Sequence, residues 1–94
     1  MTDTEKLSIL KQDLQQMTTA NDTLLMALIR QAKSLIEGEG ITLTEGDIGS
    51  DMMVVQYAAY LFRKRAAPET EMPRFLRWNM NNTLFKQKGS ENDV

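Results

Sequence analysis

The chain has neither cysteine nor histidine, and this limits the chemistry its side chains can perform. Most nucleophilic and acid–base catalysis draws on one of those two residues. A zinc, copper or haem site would have to be built from carboxylates alone, which suit hard cations instead. Two carboxylates do stand one helical turn apart, Asp47 and Asp51. Their D-I-G-S-D spacing does not fit a calcium loop. Acids in a first turn also have an ordinary use, which is to cap free N–H groups and complement the helix dipole. No G-x-x-x-x-G-K-[ST] or G-x-G-x-x-G is present to cradle a phosphate. The residues therefore predict a protein that is not an enzyme and holds no metal or cofactor.

The chemistry that remains is that of cations beside aromatic groups. Arg63, Lys64 and Arg65 are consecutive, and Arg74, Arg77, Lys86 and Lys88 follow. Residues 63–88 carry net +5, whereas residues 1–46 carry −3, within a chain of net charge −2. A basic module in an acidic chain suggests a directed electrostatic contact as much as a solvated face. Arg63, Lys64, Arg65, Arg74, Arg77 and Trp78 are the candidate contact residues. Cations of this kind can meet phosphates, and Asn79, Asn81 and Asn82 could read bases. The segment between the two basic helices is longer than a helix-turn-helix turn, however, and carries Glu69 and Glu71. Carboxylates of a partner protein are the competing target.

The elements that must position these residues follow from apolar spacing. At 94 residues the chain has room for one core. The expected fold is all-α, a small bundle of about four helices. A first helix over Thr4–Met17, with Thr4 as N-cap, carries the narrow stripe Leu7, Leu10, Leu14 and Met17. It is expected to be peripheral, together with the rest of residues 1–20. A second helix runs from Asn21 or Asp22 to Glu37. It presents Leu24, Leu25, Leu28, Ile29, Ala32, Leu35 and Ile36 on one face, with Gly38 as its stop. Residues 38–50 hold four of the five glycines and read as a loop. Within it Ile41-Thr42-Leu43-Thr44 is β-prone, either to pair with another subunit or to pack its apolar side chains down.

Asp47 or Ser50 opens the third helix, which continues to Ala66. Ile48, Met52, Val55, Ala59 and Phe62 line one side, and Met53, Val54, Tyr57, Ala58, Tyr60 and Leu61 cover most of the rest. A helix apolar nearly all round is buried on more than one side. Ala67 before Pro68 stops it, and Pro73 opens a fourth helix. Phe75, Leu76, Met80 and Leu84 are expected in its core face, with Trp78 and Phe85 offset. Gly89 is expected to close it, so residues 21–89 form the core and 90–94 a flexible tail. Seven methionines are many for this length, and Met52, Met53, Met72 and Met80 read as core filler. The longest apolar stretch, Met52–Phe62, is far shorter than the ~20 residues of a membrane span. The opening MTDTEKLS has neither a basic nor a long apolar segment of a secretion signal.

Three segments together carry a family resemblance. They are D-T-L-L-M-A-L-I-R-Q-A-K-S-L-I at 22–36, M-V-V-Q-Y-A-A-Y-L-F-R-K-R at 53–65 and M-P-R-F-L-R-W-N-M-N-N-T-L-F at 72–85. The more specific elements are Y-A-x-x-L-[FY]-x-x-R followed by M-P-R-x-[LI]. Over about Asn21–Gly89 the chain resembles the small all-helical head–tail connector proteins of long-tailed phages and prophages, also called head-completion or adaptor proteins. The resemblance implies a structural role without catalysis or cofactor. Such proteins form a ring of about a dozen subunits beneath the capsid portal. DNA passes through its channel, and further head-completion or tail proteins dock on it. The implied location is the head–tail junction of the virion, and the host cytoplasm before assembly. A small prophage DNA-binding regulator and a tail-assembly chaperone, or other helical interaction module, are the alternatives.

Overall fold

The computed structural model describes residues 1–92, with side chains described through Gly89. Four helices follow one another: α1 (Asp3–Asp13), α2 (Asp22–Gly38), α3 (Ile48–Ala66) and α4 (Arg74–Asn92). No strand occurs among the described residues. The all-α bundle expected from the sequence is the fold.

α3 is the central element. It packs against α1, α2 and α4, and Met53, Val54, Val55, Tyr57, Ala58 and Ala59 are all buried along it. Small Ala58 and Ala59 let neighbours approach while the larger residues fill the space between helices. Leu25, Leu28, Ile29, Ala32 and Ile36 of α2 and Leu76 and Met80 of α4 complete the interior. α1 contributes more than a peripheral helix would, because Leu10 is fully buried within the same cluster. Ile48 at the first turn of α3 is 64% exposed, so the apolar line read for that side begins at Met52.

The helix ends differ from the sequence reading in instructive ways. The cap of α1 is Thr2, not Thr4. Its hydroxyl accepts from Glu5 N–H at 3.1 Å, while Glu5 Oε1 accepts from Thr2 N–H at 3.0 Å. The helix stops at Asp13 because Gln15 adopts φ 57°. Gln16 N–H then donates to Lys11 C=O at 2.8 Å and Gln15 N–H to Gln12 C=O at 3.2 Å, the two-bond left-handed closure of a helix. Met17, expected on the stripe of α1, is left 93% exposed. In α2 the left-handed stop is Gly40, with φ 100°, and Gly38 is still helical. At α3, Asp47 Oδ2 accepts from Ser50 N–H at 2.9 Å, the expected cap.

The loop between α2 and α3 is anchored at Ile41, which is buried. Its β-prone backbone finds no strand. It meets the side chain of Gln87 on α4 instead, which donates to Thr42 C=O at 2.9 Å and accepts from Thr42 N–H at 2.8 Å. After α3, the carbonyls of the Pro68–Pro73 elbow turn toward Lys64, whose ammonium donates to Pro68 C=O at 3.0 Å and Thr70 C=O at 3.2 Å. α4 runs on past Gly89 to Asn92, so that glycine does not close it. Of the tail expected over 90–94, residues 93 and 94 lie outside the described residues.

Candidate interaction surface

The three consecutive cations of α3 point three ways, as successive residues of a helix must at about 100° each. Arg63 reaches back to α1 and donates to Asp13 Oδ2 at 3.1 Å, with both side chains about half exposed. Lys64 satisfies the elbow carbonyls and lies 5.8 Å from the centre of the Tyr60 ring. Arg65 is exposed beside a shallow hollow lined by Asn21, Leu24 and Phe62. The triplet therefore fastens the fold on two of its members and, among the described residues, leaves Arg65 without an ion pair.

On α4, Arg77 is tied across to the end of α2. Its two terminal nitrogens donate to Glu39 at 2.7 and 3.4 Å. That bidentate hydrogen bond to a carboxylate, above all, raises the guanidinium further above its ordinary value. Arg74 is exposed and unpaired among the described residues. Trp78 is 70% exposed. Of the six candidate residues, Arg65, Arg74 and Trp78 are available to a partner as they stand, while Arg63, Lys64 and Arg77 already have partners within the chain.

Two features escaped the sequence reading. The first is aromatic. Phe75, expected in the core, is 58% exposed, and Phe85 is 80% exposed. Leu76 and Met80 take the inward direction, and Phe75, one residue from Leu76, is swung away from it. With Trp78 these rings form one stripe on the outer side of α4. The signal was present in the spacing of positions 75, 78 and 85, but it was masked by the equally apolar neighbours of the inward face.

The second feature is ionic and buried. Lys6 of α1 and Asp51 of α3 are each only 2% exposed, and they face each other with Nζ to Oδ1 at 3.6 Å. The Met1 α-amino group lies 3.1 Å from the other Asp51 oxygen. Asp3 joins through Lys6 at 3.4 Å and through Lys33 of α2. Burial pushes the Asp51 carboxyl up, yet the hydrogen bond and charge of the Met1 amine, with Lys6 behind them, outweigh burial and hold it below its ordinary value. Asp3 is held low chiefly by its hydrogen bond from Lys33, which is itself raised by the same contact. Lys6 sits one turn before Leu10 on the same face, which is the only trace of this network in the sequence. The recess beside it, about 140 Å³ and lined by Lys6, Lys33, Glu37, Glu45 and Asp51 among others, is small. Three cations, Lys6, Lys33 and the Met1 amine, share the two carboxylates Asp3 and Asp51, so the arrangement joins three helices electrostatically.

Among the described residues, no group of three or more acidic side chains is placed to hold a metal ion. No helix among them is long and apolar enough to cross a membrane. No family model, no curated protein and no solved structure matches the chain.

Proposed function

We propose that the chain is a structural assembly protein of the phage head–tail connector type. It would join a ring of its own copies to the capsid portal and to the head-completion or tail proteins that follow. The observation that carries this reading is the outward aromatic face of α4, which no part of the described chain covers. A lone domain gains nothing from exposing Phe75, Trp78 and Phe85, whereas an assembly protein needs such a face before its partners arrive. The motif resemblance over Asn21–Gly89 supplies the kind of assembly. The central α3 suits the role too, because a helix packed on three sides gives a stiff support for a docking surface.

The test is direct. The purified chain is mixed with a portal assembly and with filled capsids and viewed by electron microscopy. Added density as a ring on the portal axis is expected. Salt-sensitive binding to duplex DNA without portal engagement would instead favour the DNA-binding alternative, and capture of a tail component alone would favour the chaperone.

A further inference from the structure

α4 carries apolar side chains on two faces, and the bundle uses one. Leu76 and Met80 are buried against the body, while Phe75, Trp78 and Phe85 are 58, 70 and 80% exposed on the other side. Those rings expose on the order of 400 Å², the size of the largest apolar patch on a typical monomer. Their spacing identifies what fits them. Phe75, Trp78, Asn82, Phe85 and Gly89 follow one another at steps of three, four, three and four. At 100° and 1.5 Å per residue they keep within an arc of about 80° along about 21 Å of helix. A mean step of 3.5 residues is the seam by which one helix lies along another.

The edges of the seam carry one sign of charge. Arg74, Asn81 and Lys88 flank it on one side, Asn79 and Lys86 on the other. Arg74, Lys86 and Lys88 are exposed, and none forms an ion pair among the described residues. No acidic residue occurs between Glu71 and Glu91. A second copy of the same helix would bring cations to cations and offer no carboxylate. At the middle of the seam stands Asn82, a half-buried amide. Against lipid that amide would be costly, because nothing there answers its hydrogen bonds. Between two helices it meets a polar side chain and fixes their register. A single nucleic-acid strand stacks successive bases on aromatic rings, but Trp78 and Phe85 stand two turns apart, about 10 Å, with Asn82 between them. Phe75, at the head of the seam, also borders a hollow shared with Ile9, Met52 and Val55. A helix on the seam therefore finds apolar ground continuing onto the body.

We propose that this outer face of α4 receives an acidic amphipathic helix of another protein. Its apolar side chains cover Phe75, Trp78 and Phe85, a polar one meets Asn82, and carboxylates face Arg74, Lys86 and Lys88. The inference rests on the assembly reading above and gives the chemistry of the partner element that covers the face.

Trp78 is the only tryptophan, so its emission reports on this face. The probe is a tryptophan-free helical peptide of about three heptads, with Leu at the seam positions, one central Asn, and Glu along both edges. Titrated into the full chain, it should shift Trp78 emission to the blue with a Kd of about 1–100 μM at low salt, and added salt should weaken it. The same peptide with Lys in place of Glu should bind at least about tenfold more weakly. Phe85→Asp should abolish the shift. Lys86→Glu together with Lys88→Glu should reverse the preference, so that the Lys peptide binds the better. All three positions are exposed, and circular dichroism checks that the variants fold. No shift with the Glu peptide, or equal shifts with both peptides, overturns the proposal. So does a shift that requires oligo(dT) or anionic vesicles instead. A shift that grows with the concentration of the chain alone makes a second copy the occupant and overturns it too. A Phe85→Asp chain that still joins the portal removes the seam as the docking surface and leaves the assembly reading intact. Binding of the Glu peptide by a chain with no affinity for a portal does the reverse.

Discussion

Gln87 holds the backbone of Thr42 by both of its polar groups, donating to its carbonyl and accepting from its N–H across 45 positions of sequence. A side-chain amide has the same donor and acceptor as a strand neighbour. One glutamine on a helix therefore satisfies a β-prone segment that has no strand to join. The contact also ties the end of α4 to the loop that follows α2. With the Arg77–Glu39 pair nearly three turns earlier on α4, it fixes the direction in which α4 leaves the body.

Gln87→Ala should therefore loosen the loop more than the core. Both hydrogen bonds are exposed, so the loss in stability should be about 1 kcal/mol. Hydrogen exchange at the Thr42 amide should quicken well beyond that of its neighbours. Gln87→Glu keeps the acceptor and loses the donor, and should fall between the two. Equal exchange at Thr42 in all three proteins would show that the pair carries no load.

The two left-handed residues predict opposite effects of glycine chemistry. Gln15 closes α1 at φ 57°, a conformation that costs an L side chain about 1–2 kcal/mol. Gln15→Gly should relieve part of this, offset by the freedom glycine gains when unfolded, for a net gain of about 0.5–1 kcal/mol. Gly40 closes α2 at φ 100°, and an added Cβ would stand 3.3 Å from Leu84 Cδ1. Gly40→Ala should lose about 1 kcal/mol or more. Urea midpoints at constant m-value decide both, and a stabilised Gly40→Ala protein would contradict the backbone argument.

How much of this was legible beforehand varies with the physical origin of each feature. α3 could be read from Met52 onward, because apolar residues on nearly every side leave burial as its only stable placement, and only Ile48 at its first turn departs from that reading. The inward face of α4 was legible at Leu76, Met80 and Leu84. The period does not say which of two adjacent apolar residues turns inward, and Phe75 was assigned to the wrong side. Gly38 and Gly40 are equally good helix stops by type, and only the packing of Leu84 over the loop distinguishes them. Gln15 carries no signal of a left-handed turn. The basic run was visible, but not that Arg63 and Arg77 would be engaged by Asp13 and Glu39, since those partners lie 50 and 38 positions away.

The buried pair of Lys6 and Asp51 predicts a strongly coupled double mutant. Removing one partner leaves a charge in the interior. Lys6→Met or Asp51→Leu alone should cost about 3 kcal/mol or more. The double variant replaces both charges with apolar groups and should lose much less than the sum. A coupling above about 1 kcal/mol in urea unfolding is expected. Additive losses would mean that the two groups act independently despite their 3.6 Å separation.

The same network sets how stability should respond to acid. Asp3 and Asp51 both titrate lower in the folded chain than their ordinary value. A carboxyl depressed on folding contributes stability that is complete above its unfolded pKa, near 3.9. That contribution is lost as pH falls through the folded value, because the unfolded chain then binds the proton first. Lys33, raised by its contact with Asp3, loses its contribution only when pH climbs past its ordinary value of 10.5. The urea midpoint should therefore be flat between about pH 5 and 8 and fall steeply below pH 4. Asp3→Asn keeps the side-chain volume and cannot titrate. That variant should start from a lower midpoint at neutral pH and lose less of it on acidification. Asp51→Asn should behave alike, with a larger initial loss because the Met1 amine loses its carboxylate and buried Lys6 keeps only Asp3, which it shares with Lys33. Wild-type acid sensitivity retained in both variants would move the titrating groups elsewhere in the chain.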